Sequence, residues 1–348
     1  MGSDELGDSL RQLFQQLVAE GTLTIEQLET EGTRIAADVT EKSAIAIIRD
    51  LKGRMPSGLR EARREKRDFE KRNLQRWRKA FNLIETLYHV AFEIGSKFND
   101  EERPKIIAEQ DYRGEALIHI HARSLLVTNE CICLMKSGYP DGALARWRTL
   151  HELNVVAALL SDNSTEVALR YLVSFDLRAL EAGKQMKKYA ARSGMEPPTD
   201  AEIEALRVRC EAHLKRWPSM AQSGDYGWAS DVVNSKRPSL LDLEEAVGLD
   251  HWRPRFKWSS QHNHGGHRPV GSLLAVTEAR EPIFITGPSN SGMVDPLHMT
   301  AISLANMTTA LLTSREPHFT RTIVANVLLK LSNEIAEAAL AVEHVKPS

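Results

Sequence analysis

The chain has 348 residues and a formal net charge of −2 at neutral pH, long enough for two domains, or for one large domain with an appendage, and for a sizeable core. A near-neutral balance excludes a general electrostatic attraction to nucleic acid or membrane, so any such partner has to be met by a local patch. The three cysteines, Cys131, Cys133 and Cys210, are an odd number, which speaks against a disulfide framework and for a reducing compartment.

From Met1 to Gly21 the chain is acidic and amphipathic, not a basic segment followed by an apolar core, so it does not read as a secretory signal. No run of about 18 apolar residues occurs that could cross a membrane. The expected location is the cytoplasm, with no membrane partner. Residues 5–53 read as two or three short helices broken at Gly21 and Gly53, with Thr24 and Gln27 at capping-box spacing. The Pro56-Ser57-Gly58 turn is expected to separate a small N-terminal helical module, 1–55, from a main helical domain, 57–348.

The spacing then predicts one long helix from Leu59 to Phe98. Its second half carries Leu74, Trp77, Phe81, Ile84, Tyr88, Ala91, Gly95 and Phe98 at alternating three- and four-residue intervals, a seam for a partner helix. Its first half is charged, with ten basic and four acidic residues between Arg60 and Lys79. Arg63, Arg64, Arg67 and Lys71 are the candidate phosphate contacts there. The competing reading pairs the interspersed acids with these bases along a solvated face.

A helix over 115–136, the turn Ser137-Gly-Tyr-Pro-Asp-Gly142 and a helix over 143–160 form an antiparallel hairpin. Another helix runs over 165–192, and Thr199 with Glu202 starts the next. The segment 217–294 is irregular, with a short helix capped by Ser239 and a small β excursion at Ile283-Phe-Ile285. Helices over 297–313 and 319–343 close the chain. The last has Val324, Leu328, Leu331, Ile335, Ala338 and Val342 on one seam. The fold class is all-α, a bundle of long antiparallel helices with one irregular insertion.

The hairpin holds the candidate chemistry. Around Leu150-His-Glu-Leu-Asn-Val155 the second helix is apolar on nearly every face, as in a helix enclosed by neighbours, so its polar groups need partners. Arg148 lies three residues before His151 and four before Glu152, so the three share a face and are expected to bond one another. On the preceding helix Glu115, His119, Arg123 and Glu130 recur at intervals of four, four and seven. If the two stripes face each other, the hairpin encloses a network that either sets helix register or builds a site.

His262-Asn-His264-Gly-Gly-His267 could present three neutral imidazoles to zinc, although no fourth ligand lies nearby in sequence. A polar loop lining a pocket and a plain tight turn are the alternatives. No phosphate-cradling GxxxxGK, GxGxxG, zinc-protease or nucleophile-elbow pattern is present.

His119-Ile-His-Ala-Arg123, Gly138-Tyr-Pro-Asp-Gly-Ala143, Arg146-Trp-Arg-Thr-Leu-His-Glu152, Arg170-Tyr-Leu172, Tyr226-Gly-Trp228 and Trp258-Ser-Ser-Gln-His262 together resemble an uncharacterised bacterial helical family, a domain of unknown function, over roughly residues 80–275. The resemblance implies a mostly helical intracellular domain without an established activity. Arg146 and His151, with four residues between them, are also similar to the Arg-(four to six)-His pattern of the small helical nucleotidyltransferase-associated ribonucleases. The same four-to-six pattern recurs at Arg113 and His119, Arg207 and His213, and Arg255 and His262.

That second resemblance implies metal-free RNA cleavage, with His151 moving the 2′-hydroxyl proton and Arg146 or Arg148 stabilising the phosphate. Five residues of helix turn Arg146 and His151 to different faces, so they would meet at one phosphate only across a homodimer or near a distorted turn. The expectation is therefore an RNA-directed protein. A non-catalytic module engaging a protein through its N-terminal helices is the alternative, and a metal-dependent hydrolase built on His262, His264 and His267 is the third reading.

Overall fold

In the computed structural model, which describes residues 3–22, 24–222, 224–267 and 269–343, eleven α-helices and several 3-10 turns are present and no strand forms among the described residues. The chain divides into two compact units, residues 1–69 and 70–348. In the first, α1 (Ser3–Ala19) is followed by α2 (Ile25–Arg76), which continues into the second. α2 passes through Gly53 and Pro56 without the expected breaks. All of its residues from 44 to 68 are exposed, so water is at hand for the carbonyls that a proline leaves without a donor.

The second unit is a bundle of α3 (Arg78–Glu109), α4 (Tyr112–Lys136), α5 (Pro140–Ser161), α10 (Val294–Leu312) and α11 (Phe319–Glu343). α10 packs against the other four. α6 (Thr165–Ser193) lies against α4 and carries α7 (Asp200–Arg216). The expected single helix over 59–98 is interrupted at Trp77, where φ −97° and ψ 19° leave the helical region. Its indole donates to Asn290 O at 2.8 Å and the side chain is wholly buried, so the seam survives across the break. α3 also runs beyond Phe98 to Glu109, because Glu102 and Ile106 are themselves buried.

Local signals act as elementary chemistry dictates. Gly138 takes φ 86°, a left-handed conformation that costs glycine least, and lets the chain reverse between α4 and α5. Thr199 and Ser239 form capping boxes with Glu202 and Asp242. The second starts α8 (Leu240–Ala246), which with α9 (Arg253–Ser260) packs on α5. The β excursion at Ile283 to Ile285 does not form; no neighbouring strand pairs with it, and Phe284 is 90% exposed.

Candidate functional site

α5 brings Arg146, Arg148, His151 and Glu152 to the junction between the hairpin and the irregular segment, but not into contact with one another. His151, 1% exposed, bonds through Nε2 to Glu244 Oε1 of α8 at 2.9 Å. Glu244 is wholly buried and its other oxygen accepts from Arg253 Nη1 of α9 at 3.0 Å. Arg148 stacks on Phe256, with Cζ 4.5 Å from the ring centroid, and Arg253 lies over the same ring at 5.3 Å. The His151 ring contacts Trp147 and Phe256, at centroid distances of 5.1 and 5.5 Å. The expected bonds among Arg148, His151 and Glu152 are thus replaced by bonds to the irregular segment. Glu152 accepts from Tyr226 Oη at 2.8 Å.

The reason is steric and electrostatic. A helix covered on all sides directs each polar group to whichever neighbour supplies a partner, and α8 and α9 supply a carboxylate and a guanidinium. The Nε atoms of Arg148 and Arg253 are buried without an acceptor, and both guanidinium groups lie over the Phe256 ring. Burial and the Glu152 carboxylate hold the Tyr226 phenol well above its ordinary pKa, so it donates.

The second stripe also departs from expectation. His119 and Arg123 are exposed, and only Glu130 reaches across the hairpin, to Arg146, which also bonds Thr149 Oγ1 at 3.1 Å. The face of α4 that packs inward is instead the one carrying Leu117, His121, Ser124 and Thr128. Arg146 is held on the Glu130 side, away from the partners of His151.

In the loop after α9, His262 sits with Nε2 3.4 Å from Asp141 Oδ1 and its ring against Trp258. His264 and His267 are exposed. Among the described residues no three histidine, cysteine or acidic side chains are grouped to hold a metal ion. Asp141, at the start of α5, also accepts from the backbone N–H of Leu274 and Ala275, both at 2.9 Å, so it ties the loop beyond this histidine stretch to the hairpin.

On α2, Arg60, Arg63, Arg64 and Arg67 are exposed and hold no ion pair among the described residues, whereas Lys66, Asp68 and Glu70 of the same charged stretch each have an interaction of their own. At about 100° per residue these four arginines fall within a sector of about 100°, and the acids Glu61, Glu65 and Asp68 lie outside it. Lys71, within the second unit, is exposed but has an interaction of its own.

Three residues of the hairpin junction, Glu244, Arg253 and Phe256, carried no signal in the sequence. A capped short helix announces α8 but not which of its acids turns inward. His121 stood within a motif, and the buried spacing Leu117, His121, Ser124, Thr128 was the available sign that it, and not His119, faces the core.

No curated protein and no solved structure matches this chain. No helix among the described residues is long and apolar enough to cross a membrane. The family motifs fall largely where the irregular segment meets the bundle: Tyr226 on Glu152, Trp228 against Tyr171, Trp258 beside His262. All of them lie within residues 114–281, and over that segment the chain matches a family of unknown function (DUF5677).

Proposed function

We propose that this protein binds RNA through the arginine face of α2, and that the His151 cluster serves to fix the irregular segment on the bundle. The observation carrying this reading is the set of four exposed arginines, Arg60, Arg63, Arg64 and Arg67, clustered on one side of a helix without carboxylate partners. From Arg60 to Arg67 the helix advances about 10 Å, long enough for the four side chains to meet more than one phosphate. Guanidinium groups bind phosphate oxygens in bidentate fashion, so a row of arginines on one face is suited to a phosphate backbone. Cleavage by His151 and Arg146 has less support, because the His151 ring is 1% exposed and already bonded to Glu244.

The test is fluorescence anisotropy of a labelled single-stranded RNA at rising salt, with a DNA of the same sequence and polyglutamate as competitors. Substituting Arg63, Arg64 and Arg67 by alanine should weaken binding and reduce the salt slope by about 2. Equal competition by polyglutamate, or an unchanged slope in the triple variant, would refute RNA as the ligand.

A second reading, a protein partner on the same helix, is favoured by Ile48, Leu51, Met55 and Leu59. These are 40–55% exposed on a different face from the arginines. Light scattering of the full chain, with and without Leu51→Glu and Met55→Glu, tests self-association there.

A further inference from the structure

From residue 44 to residue 68, all within the first unit, α2 is exposed at every position, yet this stretch is amphipathic. Ala44, Ile48, Leu51, Met55, Leu59 and Ala62 recur at intervals of four, three, four, four and three. That eleven-residue period holds them within about 80° of the helix circumference. The four large ones are 40–55% exposed, and Ile45 and Ile47, also exposed, widen the stripe by about 80° on either side of its centre.

The charges beside the stripe are sorted by sign. Lys52, Arg63, Arg49 and Arg67 lie about 60–120° to one side of its centre, and Glu65, Glu61, Asp50 and Asp68 about 80–140° to the other. Arg54 shares the acidic side, where it is paired with Asp50. Such a face complements itself only when two copies run parallel. A twofold axis along the helices sets the acidic side of each against the cationic side of the other. An antiparallel pair sets each side against its own kind and, centred on the stripe near Gly53, lays Lys52 beside the partner's Lys52.

We propose that residues 44–62 of α2 form a parallel, in-register pair with the same helix of a second copy of this chain. Each stripe residue meets its own counterpart, Ile45 packs on the partner's Ile47, and Glu61 and Glu65 stand level with the partner's Arg63. The buried stripe supplies the affinity, and the flanking ion pairs fix the orientation. The pairing rests on the reading of this face as a protein contact and commits it to one partner. The arginine face, centred about 130° from the stripe, stays open to solvent.

Sedimentation equilibrium of the full chain and disulfide trapping, both without RNA, test this. A dimer should be populated at about 10 μM chain, and Ile48→Gln/Leu51→Gln/Met55→Gln should weaken it at least about a hundredfold with unchanged helical circular dichroism. For trapping, Cys133→Ser first removes the exposed native thiol. In that background Ala44→Cys alone should then give a disulfide-linked dimer under mild oxidation. In an antiparallel pair two copies of residue 44 would stand about 27 Å apart, too far for a disulfide, and Ala44→Cys would link only to Ala62→Cys. The proposal is overturned by that second trapping pattern, or by a dimer whose affinity the triple glutamine variant leaves unchanged. A chain still monomeric at about 100 μM refutes self-association itself, and the pairing with it.

Discussion

Replacing Glu244 by alanine strips the hairpin junction of the carboxylate that holds two elements to α5. The wild-type oxygens lie 2.9 Å from His151 Nε2 and 3.0 Å from Arg253 Nη1, and Glu244 itself is wholly buried. Arg253 retains 24% side-chain exposure and can turn to water, whereas His151, at 1%, cannot. The loss therefore combines an unsatisfied buried imidazole, about 1–3 kcal/mol, with a small void and a guanidinium left without its carboxylate. The sum is about 3–5 kcal/mol, the range for breaking one side of a buried pair. For a unit of this size that lowers the melting temperature by about 6–15 °C.

Glu244→Gln, which keeps an acceptor for His151, should lose about half as much. Circular dichroism melts of the three proteins measure both values. Limited proteolysis should show cleavage concentrating within 217–294 in the alanine variant, because α8 and α9 are what the carboxylate anchors. A Glu244→Ala protein within about 0.5 kcal/mol of wild type would refute the anchoring role.

Other consequences follow from the same reasoning. Gly95→Ala should destabilise by about 1–3 kcal/mol in urea titrations despite alanine's better helix propensity, because the new Cβ would collide with the His121 ring 2.3 Å away. His121 has a folded pKa of about 4 against an ordinary 6.5. The unfolded chain therefore binds the extra proton, and stability falls as pH drops from about 6.5 toward 4, by about 3 kcal/mol in all. His121→Gln should flatten that part of the curve, as read by melting temperature across pH. A second acid-sensitive element acts lower. Arg321 holds the Glu102 carboxyl below its usual range, so Arg321→Met should remove stability that wild type retains above the ordinary carboxylate pKa and loses as pH falls through the lowered one.

Much of the helical frame is legible from periodicity and punctuation. The turn at Gly138, the caps at Thr199 and Ser239 and the seam of α11 all follow from residues whose physical role is local. What is not legible depends on neighbours distant in the chain. Pro56 reads as a stop, yet a solvated helix carries it. Trp77 reads as a seam residue within one helix, yet a bond to Asn290 sits at an interruption.

For the candidate site the limit is sharper. α5 is apolar around its circumference, so the sequence establishes that His151 is buried but carries no information about direction. Its partner Glu244 lies 93 residues away. Four-residue spacing correctly groups His119 and Arg123 on one face of α4, but which face turns inward is decided by the packing of α3, α5 and α10.

The central functional claim is that α2 contacts RNA phosphates through Arg60, Arg63, Arg64 and Arg67. Measuring the RNA dissociation constant of the full chain between 50 and 200 mM salt, for wild type and for the Arg63/Arg64/Arg67→Ala variant, addresses it most directly. The wild-type protein should show a steep salt dependence that becomes shallower by about 2 in slope in the variant, with intact RNA recovered from both. Equal slopes and equal affinities for the two proteins would contradict it.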